Sequence, residues 1–136
     1  MKQSADSVRK AEDWPRTFAA RLNAGKLADM LAMYDPEARL LAPPSGELIT
    51  GHECIRPVLA GLIRSQRQLE SHVVRSATIG DVAVLYTDFH GSTVGASGAT
   101  REIRQHAIEV LRRQPDGTWK LVFGDPSARG IQPSPP

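Results

Sequence analysis

Residues 101–126 read REIRQHAIEVLRRQPDGTWKLVFGDP. The pattern is that of two β-strands joined at Gln114-Pro115-Asp116-Gly117, and an Asp-Gly pair between alternating apolar runs is among the strongest short-range hairpin signals. The two side-chain faces of this hairpin differ in chemistry. Which of them looks inward decides the architecture and, with it, what the chain can do.

A chain of 136 residues is one domain with room for a sizeable core. Its 40% hydrophobic and 24% charged residues are ordinary for a soluble globular protein. The pI near 9.0 accompanies a formal net charge of only +2, with Lys and Arg scattered. Nucleic-acid binding needs a basic stripe interleaved with aromatics; aromatics are 5%, so no nucleic-acid partner is expected. The single Cys54 excludes an internal disulfide and fits a reducing compartment, as a half-buried thiol at a helix start. MKQSADSVRK carries no apolar run, so no signal peptide is expected, nothing reaches transmembrane length, and the expected location is cytoplasmic.

Residues 1–13 are polar and expected to be flexible, and 127–136 form a disordered Pro-rich tail, leaving 14–126 as the domain. Trp14, Phe18 and Leu22 recur at helical spacing up to Gly25, and Leu27, Met30, Leu31 and Tyr34 share the face of a second helix ended by Asp35-Pro36. Ala38–Ala42 reads as a short strand, followed by a Pro43-Pro44-Ser45-Gly46 loop. Thr50 and Glu53 have capping-box spacing before a third helix, in which Pro57 predicts a kink or a separate first turn. Strands follow at 70–79 and 82–91, turning at Gly80-Asp81, with a small-residue loop at 92–100 before the hairpin. Helices first and then a run of antiparallel strands mean an α+β protein with helices packed on one face of a curved sheet.

This order resembles the nuclear-transport-factor-2-like cone fold, and within it the ketosteroid-isomerase and SnoaL-like group. The matching residues are Phe18–Gly25, Tyr34-Asp35-Pro36-Glu37-Ala38, Gly51, Gly80-Asp81-Val82-Ala83, and Glu109–Trp119 with Asp125-Pro126. The resemblance implies three helices in the N-terminal half packed on a strongly curved, antiparallel or mixed sheet enclosing a pocket. It also implies acid/base chemistry, since ketosteroid isomerases use an aspartate after the first strand, a tyrosine of the first helix and a protonated acid. Those positions fall here on Ala42, Phe18 and Glu109, so only the last keeps an acid and the familiar steroid machinery is disfavoured.

Strand alternation sorts the last three strands into an apolar set (Ala83, Leu85, Thr87, Phe89, Ile108, Val110, Trp119, Leu121, Phe123) and a mixed set (Val84, Tyr86, Asp88, His90, Ala107, Glu109, Leu111, Lys120, Val122). Alternation alone leaves both assignments open: the apolar face can pack on the helices and leave the mixed face solvated. The resemblance implies the reverse, with the mixed set lining the cavity and the face of Trp119, Leu121 and Phe123 forming a homodimer. On that assignment Asp88, His90 and Glu109 are the candidate catalytic residues, a histidine beside a carboxylate and an acid raised by desolvation. Phe18, Met30, Tyr34, Ala42, Tyr86 and Val122 are the candidate substrate-binding residues.

The expected partner is a small apolar molecule, which the protein isomerises, cyclises or dehydrates by acid/base chemistry. The alternative is a noncatalytic ligand-binding or dimerisation module whose cavity polar groups are structural. His52, His72 and His106 lack metal-ligand spacing, and Gly91, Gly95 and Gly98 lack a following helix, so neither metal nor nucleotide cofactor is expected.

Overall fold

Trp14, Phe18 and Leu22 form the buried stripe of helix α1 (Trp14–Asn23), with Pro15 tolerated in its first turn. The computed structural model describes residues 7–43 and 45–128. Helix α1 ends in a Schellman motif: Gly25 N–H donates to Leu22 O at 2.9 Å and Lys26 N–H to Arg21 O at 3.0 Å. Helix α2 (Leu27–Leu31) is short, and Tyr34, expected on its face, instead opens strand β1 (Tyr34–Ala42). Pro36 therefore lies inside a strand. It sits where the pairing register shifts between Tyr34 and Arg39, a place that tolerates a missing N–H donor.

The loop after β1 is a hairpin rather than an irregular connection. Strand β2 (Glu47–Thr50), absent from the sequence-based expectation, folds back antiparallel with Ala42 opposite Glu47 and Arg39 opposite Thr50. Helix α3 (His52–Arg64) then starts at Gly51, whose carbonyl accepts from Cys54 N and Ile55 N, so the expected Thr50–Glu53 capping box is not formed. The helix continues through Pro57 without a break. Cys54 is exposed, not half-buried.

Strands β3 (Gln68–Ile79), β4 (Val82–Val94), β5 (Thr100–Arg113) and β6 (Trp119–Asp125) complete one sheet of order β2-β1-β6-β5-β4-β3. The β1–β6 pair is parallel and the other pairs are antiparallel. The result is the expected α+β architecture, with three α-helices and a mixed sheet among the described residues. Part of the stretch expected to be flexible is built into the core: Val8 and Ala11 are buried, and Val8 O accepts from Trp119 N at 2.8 Å. Ala128 is likewise buried and donates to His106 O, while 1–6 and 129–136 lie outside the described residues.

Both long hairpins turn in a way that overturns the expected faces. Gln114 N–H donates to Thr118 O at 2.7 Å and Gly117 N–H to Gln114 O at 2.8 Å; at the other hairpin Gly95 N–H donates to Ala99 O and Gly98 N–H to Gly95 O, each at 2.9 Å. Gly117 and Gly98 have φ of 88° and 86°. Both turns are three-residue loops ending in a left-handed glycine; the first replaces the expected two-residue Asp-Gly turn and the second shortens the loop expected at 92–100, so the register beside each turn is one residue away from the expected one, until the β5–β6 bulge restores it. A one-residue slip exchanges the faces of a strand. Leu85 therefore pairs with Glu109, Thr87 with Ala107 and Phe89 with Gln105. Beyond the turn Leu111 pairs with Leu121, and a bulge then leaves Val110 opposite Phe123 and Glu109 opposite Gly124.

Candidate active site

The slipped registers bring one acid into an otherwise apolar inner face. Ala83, Leu85, Thr87 and Phe89 of β4 look inward with Ala107, Glu109 and Leu111 of β5 and with Trp119 and Leu121 of β6, and all are buried. Trp14, Phe18 and Tyr34 close over them as an aromatic cluster, with Trp14 and Phe18 stacked at a centroid distance of 5.2 Å and Tyr34 edge-on to both. The Trp14 indole N–H donates to Met33 O at 3.0 Å, which holds the cluster's orientation.

Between this cluster, α3 and the sheet lies a cavity of about 70 Å³. Its inner walls are Trp14, Phe18, Tyr34, Leu40, Leu59, Ala107, Leu121 and Gly124, with Glu109 among them. Its outer end is lined by Pro43, Arg67, Gln105, Asp125 and Pro126. Gly124 keeps space open directly across from Glu109; a Cβ there would meet Leu40 and Leu121 side chains at 3.2 Å.

Glu109 is only 4% exposed. Its Oε1 accepts a hydrogen bond from the Thr87 hydroxyl at 2.8 Å, and among the described residues its second oxygen accepts no other. Desolvation pushes the Glu109 carboxyl up to about 7, and the Thr87 bond opposes that rise without cancelling it. Burial, with a smaller contribution from the Glu109 carboxylate, pushes the Tyr34 hydroxyl well above its ordinary range. Tyr34 is therefore a proton-bearing donor throughout the physiological range.

The expected Asp88–His90–Glu109 grouping does not converge. Asp88 and His90 lie on the outer face, where Asp88 Oδ1 is 2.7 Å from His106 Nδ1 and His90 Nε2 is 3.0 Å from Glu70 Oε1. Glu109 is on the other side of the sheet, because the register that was expected to align it with Asp88 aligns it with Leu85. Of the expected substrate-binding residues, Phe18 and Tyr34 line the cavity. Met30 and Ala42 are buried elsewhere, Tyr86 is exposed on the outer face, and Val122 is the residue skipped at the β5–β6 bulge. Trp119 and Leu121, expected at a dimer interface, are buried within the subunit.

Sequence reasoning missed Arg67 and Gln105, which line the cavity, and Thr87, which hydrogen-bonds Glu109. Thr87 stood in the apolar set as a tolerated polar residue, and a buried threonine two positions from a phenylalanine is an available signal for a hydrogen-bond partner across the strand pair.

The SnoaL-like domain profile matches residues 16–122. The chain belongs to the SnoaL-like family. Some members of that family are isomerases or cyclases. No curated protein is similar in sequence at a significant level. Among solved structures, this SnoaL-like protein is similar to a ketosteroid isomerase-like protein from Erwinia carotovora atroseptica, with a TM-score of 0.76 and 15% identity over 98% of this chain and 100% of that one. It is also similar to a putative calcium/calmodulin-dependent protein kinase type II association domain from Thiobacillus denitrificans, with a TM-score of 0.70 and 21% identity over 88% and 97% of the two chains. A third is an NTF2-like protein with a cystatin-like fold from Novosphingobium aromaticivorans, at 0.70 and 12% over 88% and 80%. At these identities the likeness is one of fold. No helix among the described residues is long and apolar enough to cross a membrane.

Proposed function

We propose that this SnoaL-like protein binds a small, largely apolar carbonyl compound in the cavity and moves a proton on it through Glu109. The observation that carries the reading is a buried carboxyl in an apolar chamber, held near a pKa of 7. A general acid or base works best when its pKa lies near the operating pH, since both protonation states are then populated. The Thr87 hydroxyl orients one carboxyl oxygen and leaves the other toward the substrate. Ionised Glu109 removes a proton from the carbon beside the carbonyl, and the same carboxyl returns it at another position. The Tyr34 hydroxyl is the nearby donor for the oxygen that becomes negative. Isomerisation, cyclisation and dehydration all share that first step. Asp88 and His90 have no part in it, since both lie across the sheet from Glu109.

Ligand pockets usually measure ~300–1,000 Å³. A cavity of about 70 Å³ therefore selects a small or slim compound. Deuterium uptake from D2O at the carbon next to the carbonyl of small cyclic enones, followed by NMR, tests the proposal. Wild type accelerates exchange, and Glu109→Gln loses at least a hundredfold while melting within a few degrees of wild type. Equal exchange by the two proteins removes Glu109 from the chemistry.

The reading includes self-association through the outer sheet face and a cytoplasmic location, which the exposed thiol of Cys54 suits. A second reading, a noncatalytic ligand-binding or dimerisation module, draws on the likeness to an association domain and on the Thr87–Glu109 bond, which already satisfies part of the buried acid. Retained ligand binding with no exchange of any substrate carbon favours it.

A further inference from the structure

Arg67 stands at the outer end of the cavity because of how α3 stops. The helix closes with a Schellman motif in which Gln66 N–H donates to Ile63 O at 2.9 Å and Arg67 N–H to Leu62 O at 3.2 Å. Gln66 has to adopt φ of 54° to make that turn, the one left-handed non-glycine conformation among the described residues. The turn sends Arg67 back over the sheet, where it lines the cavity opposite Gln105.

Its guanidinium is poorly satisfied there. Nη1 donates to Gln105 Oε1 at a long 3.3 Å, and Nε is buried with no partner. Among the described residues Arg67 forms no ion pair. Asp125 also lines this end of the cavity, with its Oδ1 accepting from Ser127 N at 3.2 Å. A buried donor without an acceptor is costly, and more so when it belongs to a charged group. An arginine fork is also the side chain best matched to two oxygens of one carboxylate. Gln105 is held in turn by a weak bond from Nε2 to Pro126 O at 3.4 Å, which leaves its amide able to turn toward an incoming oxygen.

We infer that the cavity's ligand carries a carboxylate head group that docks on Arg67 and Gln105 and lays its apolar remainder inward toward Glu109. The inference rests on the cavity being a ligand site, as proposed above. Gln105 and Glu109 are four positions apart on the inner face of β5, about 13 Å at roughly 3.3 Å per residue. Head group and reacting carbon therefore lie at opposite ends of a slim molecule, and the two charges never compete for one place. A carboxylate at Arg67 would fix the depth to which the remainder enters. That is the positioning a proton transfer needs.

Matched probes test this with the full chain at pH 7.5: hexanoate and cinnamate against hexanamide and cinnamamide, titrated by calorimetry and by proton–nitrogen NMR. The acids are expected to bind at least tenfold tighter than the amides, with shifts at the Trp14 indole and the Gln105 side-chain amide. Arg67→Gln abolishes the preference and Arg67→Lys retains part of it. Arg67→Lys keeps the test decisive if the glutamine variant does not fold. Amides that bind as well as acids, with the same pocket shifts, overturn the carboxylate inference and leave the ligand site standing. An acid preference that survives both Arg67 variants overturns it as well. Binding by none of the four probes overturns it together with the site.

Discussion

Glu109 and Thr87 face each other diagonally across β4 and β5, but it is the burial of the Glu109 carboxyl, opposed only in part by their hydrogen bond, that sets its pH behaviour. A carboxyl raised from 4.5 to about 7 in the folded state holds its proton where the unfolded chain has already lost it. The native state thus binds more protons between those values, and stability must fall as pH rises through that window. A tenfold difference in proton affinity between the two states is worth about 1.36 kcal/mol, so the loss between pH 4 and 8 is about 3 kcal/mol. Urea unfolding across that range is expected to show the decline in wild type and to show it removed in Glu109→Gln. An undiminished slope in the variant places the pH dependence elsewhere. Asn23 carries a second residue-scale prediction. Its Nδ2 donates to Leu69 O at 2.9 Å and its Oδ1 accepts from Leu69 N at 2.8 Å, an amide standing in for a strand partner beside β3. Asn23→Ala leaves both backbone groups of a buried residue without a partner and is expected to cost about 2 kcal/mol in denaturant unfolding. Asn23→Asp, which loses one bond, should fall between the two.

At the scale of elements, the sequence made the helices and most strands readable and hid the registers. Trp14, Phe18 and Leu22 announced α1 because helical spacing survives any tertiary context, and Gly25 announced its end. Strand β2 was hidden because its residues, Glu47–Thr50, have little alternation and pair only at the sheet edge. The partners of β5 went wrong for a local reason. Asp116-Gly117 suggests a two-residue turn, yet Pro115 would then occupy a paired strand position, where its ring and missing N–H are unfavourable. In the three-residue loop actually formed, proline suits the start of a type I turn and Gly117 takes the left-handed place. Weighing Pro115 as heavily as Gly117 would have put Glu109 on the apolar face from the sequence alone. The two Schellman motifs make the same point by contrast: α1 uses Gly25 and α3 uses Gln66. An L-residue in the left-handed region costs roughly 1–2 kcal/mol. Gln66→Gly is therefore expected to raise stability by about 1 kcal/mol after the entropy of glycine is subtracted. Calorimetric melting checks this, and a lower melting temperature would refute the strain argument.

Across the whole molecule the sheet has an inner face closed by helices and, among the described residues, an outer face with no helix over it, and the outer face is not uniformly polar. Val84, Ile108, Val110 and Phe123 are half-buried there, with Tyr86 42% exposed beside them. Val84 and Val110 are cross-strand partners, as are Tyr86 with Ile108 and Val110 with Phe123, so these side chains form one continuous band. Flanking it are the Asp88–His106 and Glu70–His90 pairs, polar groups at the rim of an apolar centre. That arrangement is the anatomy of a protein interface. The band joins Val84 and Tyr86, first expected in the pocket, to Ile108, Val110 and Phe123, which were expected on the outer face. The self-association proposed above would place a second copy of the chain against this band. Light scattering is expected to give a dimer for wild type and a monomer for Tyr86→Lys combined with Val110→Lys. Because neither side chain reaches the inner core, the double variant should keep its fold by circular dichroism and its cavity binding by titration. A wild-type monomer, or a double variant that stays dimeric, would show that the outer band does not join two copies.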